Sequence, residues 1–319
     1  MNRERLPAET VLAANRIAPY IRETPLDYSP LFSEQCGARV WLKLENLQHT
    51  GSFKLRGAMN KLLSLRDADA RRGVVTASSG NHGAALAWSM ARLDIGGIVF
   101  VPENASSAKV SAIRRAGAEV RFHGTDGLDT EMHAREYARR HGMAYVSPYN
   151  DPEVIAGQGS CGVEIARQLS PVDAVFIAVG GGGLISGVGA FLRSVNPQLD
   201  IVACQPAASA VMTESVRAGR IVERASKPTL SDGTAGGIES GALTFDLCRE
   251  LVSEYVVVGE SEIATAMCDF IDGHGMLAEG AAGVALAALK LSEGDYRGRN
   301  VVVVVCGGNI SRDTLRAII

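Results

Sequence analysis

Val301-Val302-Val303-Val304-Val305 is the stretch on which the fold turns. Successive side chains of a strand point to opposite faces, so an unbroken β-branched run makes a strand that is apolar on both. A half-solvated antiparallel sheet has no place for such a strand, whereas a central parallel strand covered by helices on each side does. Outward from it, further short β-branched runs at 40–44, 73–77, 97–101, 119–122, 144–146, 174–179, 201–205 and 255–258 read as strands, with helical patterns between most of them. The class is therefore α/β, doubly wound. Nine strands with several motifs at their ends leave room for two sheets and two crevices.

The 319 residues suffice for about two domains. Lys and Arg number 32 against 35 Asp and Glu, and no Lys/Arg-rich run occurs, so a nucleic-acid partner is not expected. The 46% hydrophobic content argues equally against disorder. No apolar run is long enough for a membrane span, and the charged start Met1-Asn2-Arg3-Glu4-Arg5 leads into no apolar signal core. The six cysteines are widely spaced, without Cys-x-x-Cys, which removes zinc-ribbon and thioredoxin readings and makes a cytoplasmic protein with reduced thiols the expectation. Glycine is in excess, at 35 residues, and it is clustered.

In doubly wound sheets ligands gather beyond the carboxyl ends of strands. Four segments stand there. Gly180-Gly181-Gly182-Gly183-Leu184 follows the strand at 174–179 and precedes a helical pattern. Glycines let several N–H groups converge on one point, and the helix adds its positive end, which makes a phosphate cradle. The alternative is a tight turn without a ligand, although random placement gives four consecutive glycines in only about one such chain in twenty. No register satisfies Gly-x-Gly-x-x-Gly, the next strand ends in Ala203-Cys204-Gln205 without an acid for a ribose, and no nucleotide triphosphate loop occurs. A small phosphate-bearing ligand remains.

The second segment, Ser52-Phe53-Lys54-Leu55-Arg56-Gly57-Ala58, puts Lys54 at the start of a helix with Ser52 as a candidate N-cap. Apolar flanks and the helix dipole push such a lysine toward its neutral, nucleophilic form; a solvated helix lysine is the plainer reading. The third, Ser78-Ser79-Gly80-Asn81-His82-Gly83, offers N–H groups and hydroxyls for a carboxylate, or simple helix capping, with His82 read as structural. The fourth, Cys306-Gly307-Gly308-Asn309, closes the valine strand; alone, its thiol is a small buried hydrophobe.

Taken in order over nearly the whole chain, these four segments resemble the threonine dehydratase and serine racemase family of fold-type II pyridoxal-phosphate enzymes. The resemblance implies that Lys54 carries pyridoxal 5'-phosphate through a Schiff base, that Phe53 packs beside its ring, that Asn81 meets the ring 3-hydroxyl, that Gly180, Gly181, Gly182, Gly183 and Leu184 hold the phosphate, and that Cys306 lies near the pyridine nitrogen. A neutral thiol there draws substrate charge less deeply into the ring than an aspartate does, which favours prompt loss of a leaving group. The implied chemistry is β-elimination from a hydroxylated amino acid. Its carboxylate would sit at Ser78, Ser79, Gly80, Asn81 and His82, with Lys54 as general base and Ser79 on the opposite ring face, where racemases of the family place a hydroxyl.

The resemblance also carries departures. Family members that bind a divalent cation have a Glu near the position of Gln205 and an Asp six residues on, at Val211, so no metal is expected here. After Ser231-Asp232-Gly233 the loop runs to Gly236-Gly237-Ile238-Glu239, where dehydratases carry bulkier or hydroxyl-bearing residues. Gly236 and Gly237 would widen the substrate pocket, as in the dehydratases of hydroxyectoine utilisation, whose substrate is larger than threonine. Glu279 is expected to approach the ring, and no C-terminal regulatory domain is expected. A small substrate domain at 73–151, inserted into a large cofactor domain of 1–72 and 152–319, and a homodimer complete the implied picture. Threonine or serine dehydration, hydroxyectoine-linked dehydration and serine racemisation stay open. A non-catalytic binding protein or an oxidoreductase is the reading from another class.

Overall fold

A computed structural model describes residues 3–292 and 294–319; Met1 and Asn2 of the charged start lie outside the described residues. Ten strands are present: β1 (Leu26–Tyr28), β2 (Arg39–Leu44), β3 (Val74–Ala77), β4 (Gly97–Val101), β5 (Glu119–Phe122), β6 (Ala144–Tyr145), β7 (Ala174–Ala178), β8 (Asp200–Pro206), β9 (Glu254–Val258) and β10 (Asn300–Val305). They form a six-stranded sheet in the order β1-β2-β10-β7-β8-β9 and a four-stranded sheet in the order β5-β4-β3-β6. All pairings are parallel except that of β1 with β2. β1 escapes a sequence reading because Leu26-Asp27-Tyr28 is too short for a period and stands at the sheet edge, half-buried to exposed.

β10 lies where its composition requires. Val301 pairs with Val40 of β2 on one edge and with Ala174 of β7 on the other, and Val301 to Val305 are each 0% exposed. Side chains on both faces are therefore covered, and the sheet core gathers around them with Leu42, Phe176 and Leu286. The smaller sheet is built wholly between β2 and β7 in sequence, around Val74, Leu86, Val99 and Val101. Among the described residues no helix is long and apolar enough to cross a membrane.

The helix Lys54–Leu63 joins the two bodies. Its Leu55, Ala58 and Leu62 belong to the core of the smaller sheet, while Arg56, on another face, is drawn into the larger one. It crosses the helix Pro152–Gln168 at very close range: a Cβ on Gly157 would stand 2.7 Å from the Arg56 carbonyl oxygen, and one on Gly57 would collide with the Gln158 amide. Glycine at the crossing is what lets the backbones approach.

That approach seats Arg56 in a wholly buried charge network. Its guanidinium donates to both Glu45 carboxylate oxygens at 2.8 and 2.7 Å and to both Glu164 oxygens at 2.6 and 2.8 Å. Lys43, also fully buried, donates to Glu164 at 2.6 Å, to the Thr24 carbonyl at 2.7 Å and to Gln168 at 2.9 Å. Two cations face two carboxylates, so no net charge is left in the interior. Breaking such a set costs more than forming it gains, because the surviving partner stays desolvated. Glu164→Gln is expected to lower the stability of the cofactor-free protein by about 3 to 5 kcal/mol; urea unfolding checks this, and a loss below about 1 kcal/mol contradicts it.

Candidate active site

Sheet order brings the scattered motifs together. β2, β10 and β7 are neighbours and parallel, so the segments leaving their carboxyl ends emerge side by side. β10 runs into Cys306, β7 into the four glycines, and β2 through a short turn, Glu45–Leu47, into the loop before Lys54. That loop is laid along the segment beyond β10. The Phe53 N–H donates to the Cys306 carbonyl at 3.0 Å, the Gly308 N–H to the Gly51 carbonyl at 2.9 Å, and Ser52 bridges Gly307.

Lys54 opens the helix Lys54–Leu63, as the sequence predicts, but Ser52 does not cap it. Phe53 takes the cap position with helical dihedrals and no side-chain bond, and the Ser52 hydroxyl is buried with no partner among the described residues. The reason is the Ser52–Gly307 bridge, which holds that residue against the chain beyond β10. The Lys54 Nζ donates to the Pro148 carbonyl at 2.8 Å and stands 5.2 Å from the centre of the Phe53 ring. Loss of hydration pulls the amine down to about 8, although Cys306 and Glu279 act the other way. At neutral pH this raises the uncharged fraction about 300-fold over an ordinary lysine.

Beyond β3, Ser78, Ser79, Gly80 and Asn81 are all half-buried, forming an accessible floor at the start of the helix Asn81–Leu93. No side chain caps that helix, so simple capping is not what these residues do. First-turn N–H groups have no intrahelical acceptor and remain available to an anion. The His82 imidazole turns inward instead: it is buried, its Nε2 meets the Val146 carbonyl at 3.1 Å, and burial, with Lys54 nearby, drives it down to about 3. Only its backbone belongs to the floor.

The four glycines are enclosed by protein on their outer side. A Cβ on Gly180 would stand 3.0 Å from the Thr234 backbone, one on Gly181 would enter the Tyr149 ring, and one on Gly183 would meet the Tyr149 backbone at 3.1 Å. Gly182, at φ +85°, caps the helix Gly183–Val195 without a side-chain bond. Leu184 lies buried in the first turn of that helix. The result is an uncapped 13-residue helix start wrapped in side-chain-free backbone, which suits a phosphate.

Glu279, 5% exposed, sits among the same segments. Asn81 Nδ2 donates to its two oxygens at 2.8 and 2.9 Å, the Asn309 N–H donates at 3.2 Å, and Asn309 Nδ2 donates to Asn81 Oδ1 at 2.8 Å. Burial raises the Glu279 carboxyl to about 7, the Asn81 donation opposing it. Cys306 is buried too, and desolvation holds its thiol well above the ordinary range, hence neutral. Gly236 and Gly237 are exposed, with no atom within 4 Å of where a Cβ would stand, so they lie at the rim, away from Lys54's immediate neighbours. The Pro148 carbonyl, Tyr149 and Thr234 carry no sequence signal for the site: one is backbone, and the others matter only through what they press against.

Gln205 is a buried neutral amide engaged at both ends. Its Nε2 donates to the Val179 carbonyl at 3.0 Å, and its Oε1 accepts from the Thr213 N–H and hydroxyl, both at 2.7 Å. Among the described residues no cluster of three or more His, Cys, Asp or Glu is arranged to hold a metal ion.

A desolvated lysine, an uncapped glycine-lined helix start, a half-buried polar turn beyond β3 and a neutral buried thiol are features that fit pyridoxal phosphate in an α/β enzyme. The family model described as "Pyridoxal-phosphate dependent enzyme" matches residues 17–307, and the chain belongs to that family. It is 40% identical to the catabolic L-threonine dehydratase of Escherichia coli over 95% of this chain and 92% of that protein, and 40% identical to the L-threonine ammonia-lyase of Thermotoga maritima over 94% and 74%. Among solved structures, threonine deaminase isoform 2 of Solanum lycopersicum superposes with a TM-score of 0.92 at 32% identity, covering 98% of this chain and 92% of that one. Maize serine racemase gives 0.92 at 30%, covering 97% and 95%.

Capture of pyridoxal phosphate by the cofactor-free protein requires the uncharged Lys54 amine. Its rate is expected to climb about tenfold per pH unit up to pH 8 and then level off, since the amine is protonated below that point. Stopped-flow absorbance checks this, and a rate still climbing at pH 10 contradicts it. Gly181→Ala, which drives a methyl into Tyr149, is expected to weaken cofactor affinity by about tenfold or more, as read by fluorescence titration.

Proposed function

We propose that this pyridoxal-phosphate-dependent enzyme is an ammonia-lyase that dehydrates a small hydroxylated amino acid to its 2-oxo acid, releasing ammonia. The observation that carries the reading is Lys54: an amine desolvated to about 8, held by one carbonyl, with Cys306 and Glu279 as its charged neighbours. When bound, pyridoxal phosphate supplies the electron sink that makes the substrate's α-proton acidic.

The chain's own residues do the rest. N–H groups at Ser79, Gly80 and Asn81 orient the substrate carboxylate. The uncharged Lys54 amine accepts the α-proton as general base and is returned to neutrality at the end of the cycle. The glycine segment, with Leu184, anchors the cofactor phosphate, Phe53 packs beside the ring, and Asn81 shares its amide between Glu279 and the ring 3-hydroxyl. Cys306, neutral and buried, offers the pyridine nitrogen no charge. The β-hydroxyl would therefore leave before the α-carbon is reprotonated, as water formed with the proton that Lys54 has taken up, and the unsaturated amine would hydrolyse to the oxo acid and ammonia. Ser79, on the opposite side from Lys54, serves any racemisation.

Threonine is the substrate to which the 40% identical threonine dehydratase and ammonia-lyase point, and serine the one to which a structurally similar fungal L-serine ammonia-lyase points. A second reading, a larger substrate such as one derived from hydroxyectoine, rests on the absence of side chains at Gly236 and Gly237 on the rim. We further propose a small domain at 73–151, supported by the confinement of β3 to β6 within it, and a cytoplasmic homodimer.

Oxo-acid release measured across serine, threonine and hydroxyectoine-derived amino acids tests this function. Turnover of at least one is expected, unchanged by Mg²⁺ or EDTA because Gln205 offers an amide where a cation needs carboxylate. Lys54→Ala is expected to abolish both the yellow lysine-bound absorbance and turnover, while Ser79→Ala spares elimination more than racemisation. Full turnover in Lys54→Ala excludes the mechanism.

A further inference from the structure

One segment touches both walls of the cleft. On the side of the larger sheet, Thr234 backs onto Gly180, and Gly233 lies beside Glu279, 3.7 Å from where its Cβ would stand. On the side of the smaller sheet the same segment is tied twice. The Lys109 ammonium, in the first turn of the helix Ser107–Arg115, pairs with Asp232 at 2.6 Å. Arg135, in the helix Gly127–His141, pairs with Glu239 at 2.8 Å. The Glu239 N–H also donates at 2.9 Å to the hydroxyl of Tyr149, the residue after the Pro148 that holds Lys54. Between the two ties lie Gly236 and Gly237, which have no side chain to pin the segment by packing.

We propose that the Arg135–Glu239 pair, with Lys109–Asp232 beside it, clamps residues 232–239 across the cleft, and that Arg135 is a positioning residue which sets substrate affinity. The physical basis is the mobility of what it holds. Ala235, Gly236 and Gly237 are exposed between the buried Thr234 and Ile238; a glycine-containing stretch of that kind has many open conformations, and a substrate that binds only the closed one sees its affinity divided by the closed fraction. Arg135 is pre-set for this role: its guanidinium is held by Glu131 at 2.7 Å on its own helix and lies 4.3 Å above the Tyr145 ring, so little freedom is lost on meeting Glu239. Both cross-cleft pairs are partly exposed, Arg135 at 38% and Lys109 at 39% of their side chains, so salt screens them. The clamp acts on binding and leaves Lys54 and its acceptor untouched.

The proposal rests on the lyase reading, so its test includes a binding measurement that needs no turnover. In the holoenzyme, Arg135→Met and Glu239→Gln are each expected to raise KM about threefold to tenfold with kcat within about twofold, and the double variant to be no worse than either single one. Glu131→Gln, which removes only the pre-setting charge on the arginine's own helix, is expected to raise KM by less than Glu239→Gln does. Raising NaCl from about 0.05 to about 0.5 M is expected to raise the wild-type KM more than that of the Arg135→Met variant, which keeps only the Lys109–Asp232 pair to be screened. The same ranking should appear when L-2-aminobutyrate, which has no hydroxyl to lose, is titrated against the cofactor absorbance. Additive effects, a fall in kcat at constant KM, or an equal salt response in wild type and variant overturns the clamp. If no hydroxy amino acid is turned over, the lyase reading fails, and the titration still decides the clamp.

Discussion

A strand buried on both faces and hydrogen-bonded on both edges cannot be displaced without unmaking the sheet, and β10 is that strand. Its valines require cover above and below, and its ladders to β2 and β7 fix the two neighbours in register. Because the three run parallel, whatever follows each of them is delivered to one end of the sheet. The nucleophilic lysine, the phosphate cradle and the thiol stand far apart in sequence, at 54, 180–183 and 306. They become one site through hydrogen bonds between strands and owe nothing to proximity along the chain.

Two buried lysines of this protein illustrate how environment decides chemistry. Lys43 meets the Glu164 carboxylate together with two further oxygens, in a network that also engages Arg56 and Glu45, and its charge is matched. Lys54 meets one carbonyl oxygen and an aromatic ring, and its ammonium is left under-compensated. The first is a structural ion and the second is pushed toward reactivity, although both are the same side chain, one on β2 and one on the helix that follows it. The network around Arg56, two residues beyond Lys54, also ties the reactive helix to the larger body while its apolar face packs on the smaller one. The amine therefore stands at the seam between the two bodies.

At that seam the two walls are joined by polar contacts. The cores on either side hold themselves together by apolar burial, and the segment 232–239 is anchored to the larger one by the buried Thr234 and Ile238, but its ties to the smaller body are ion pairs. Weak, solvent-exposed attractions suit a contact that must form and release with each substrate, where a packed hydrophobic contact would hold too firmly.

Much of this could be read from the chain. Valine runs placed the strands to within a residue or two, since period and β-branching are local properties, and the glycine, lysine and serine segments announced their chemistry because backbone freedom and desolvation follow from residue type. β1 could not be read, being three residues long at an edge, nor could the capping of the reactive helix, where a bridge from Ser52 to Gly307 overrode the cap that Ser52 would otherwise supply. Sequence alone determined which residues were able to carry reactivity. The tertiary structure decided which of them stand together, which amine is starved of partners and which carboxylate is buried, because those depend on contacts between residues hundreds of positions apart that only the strand order creates.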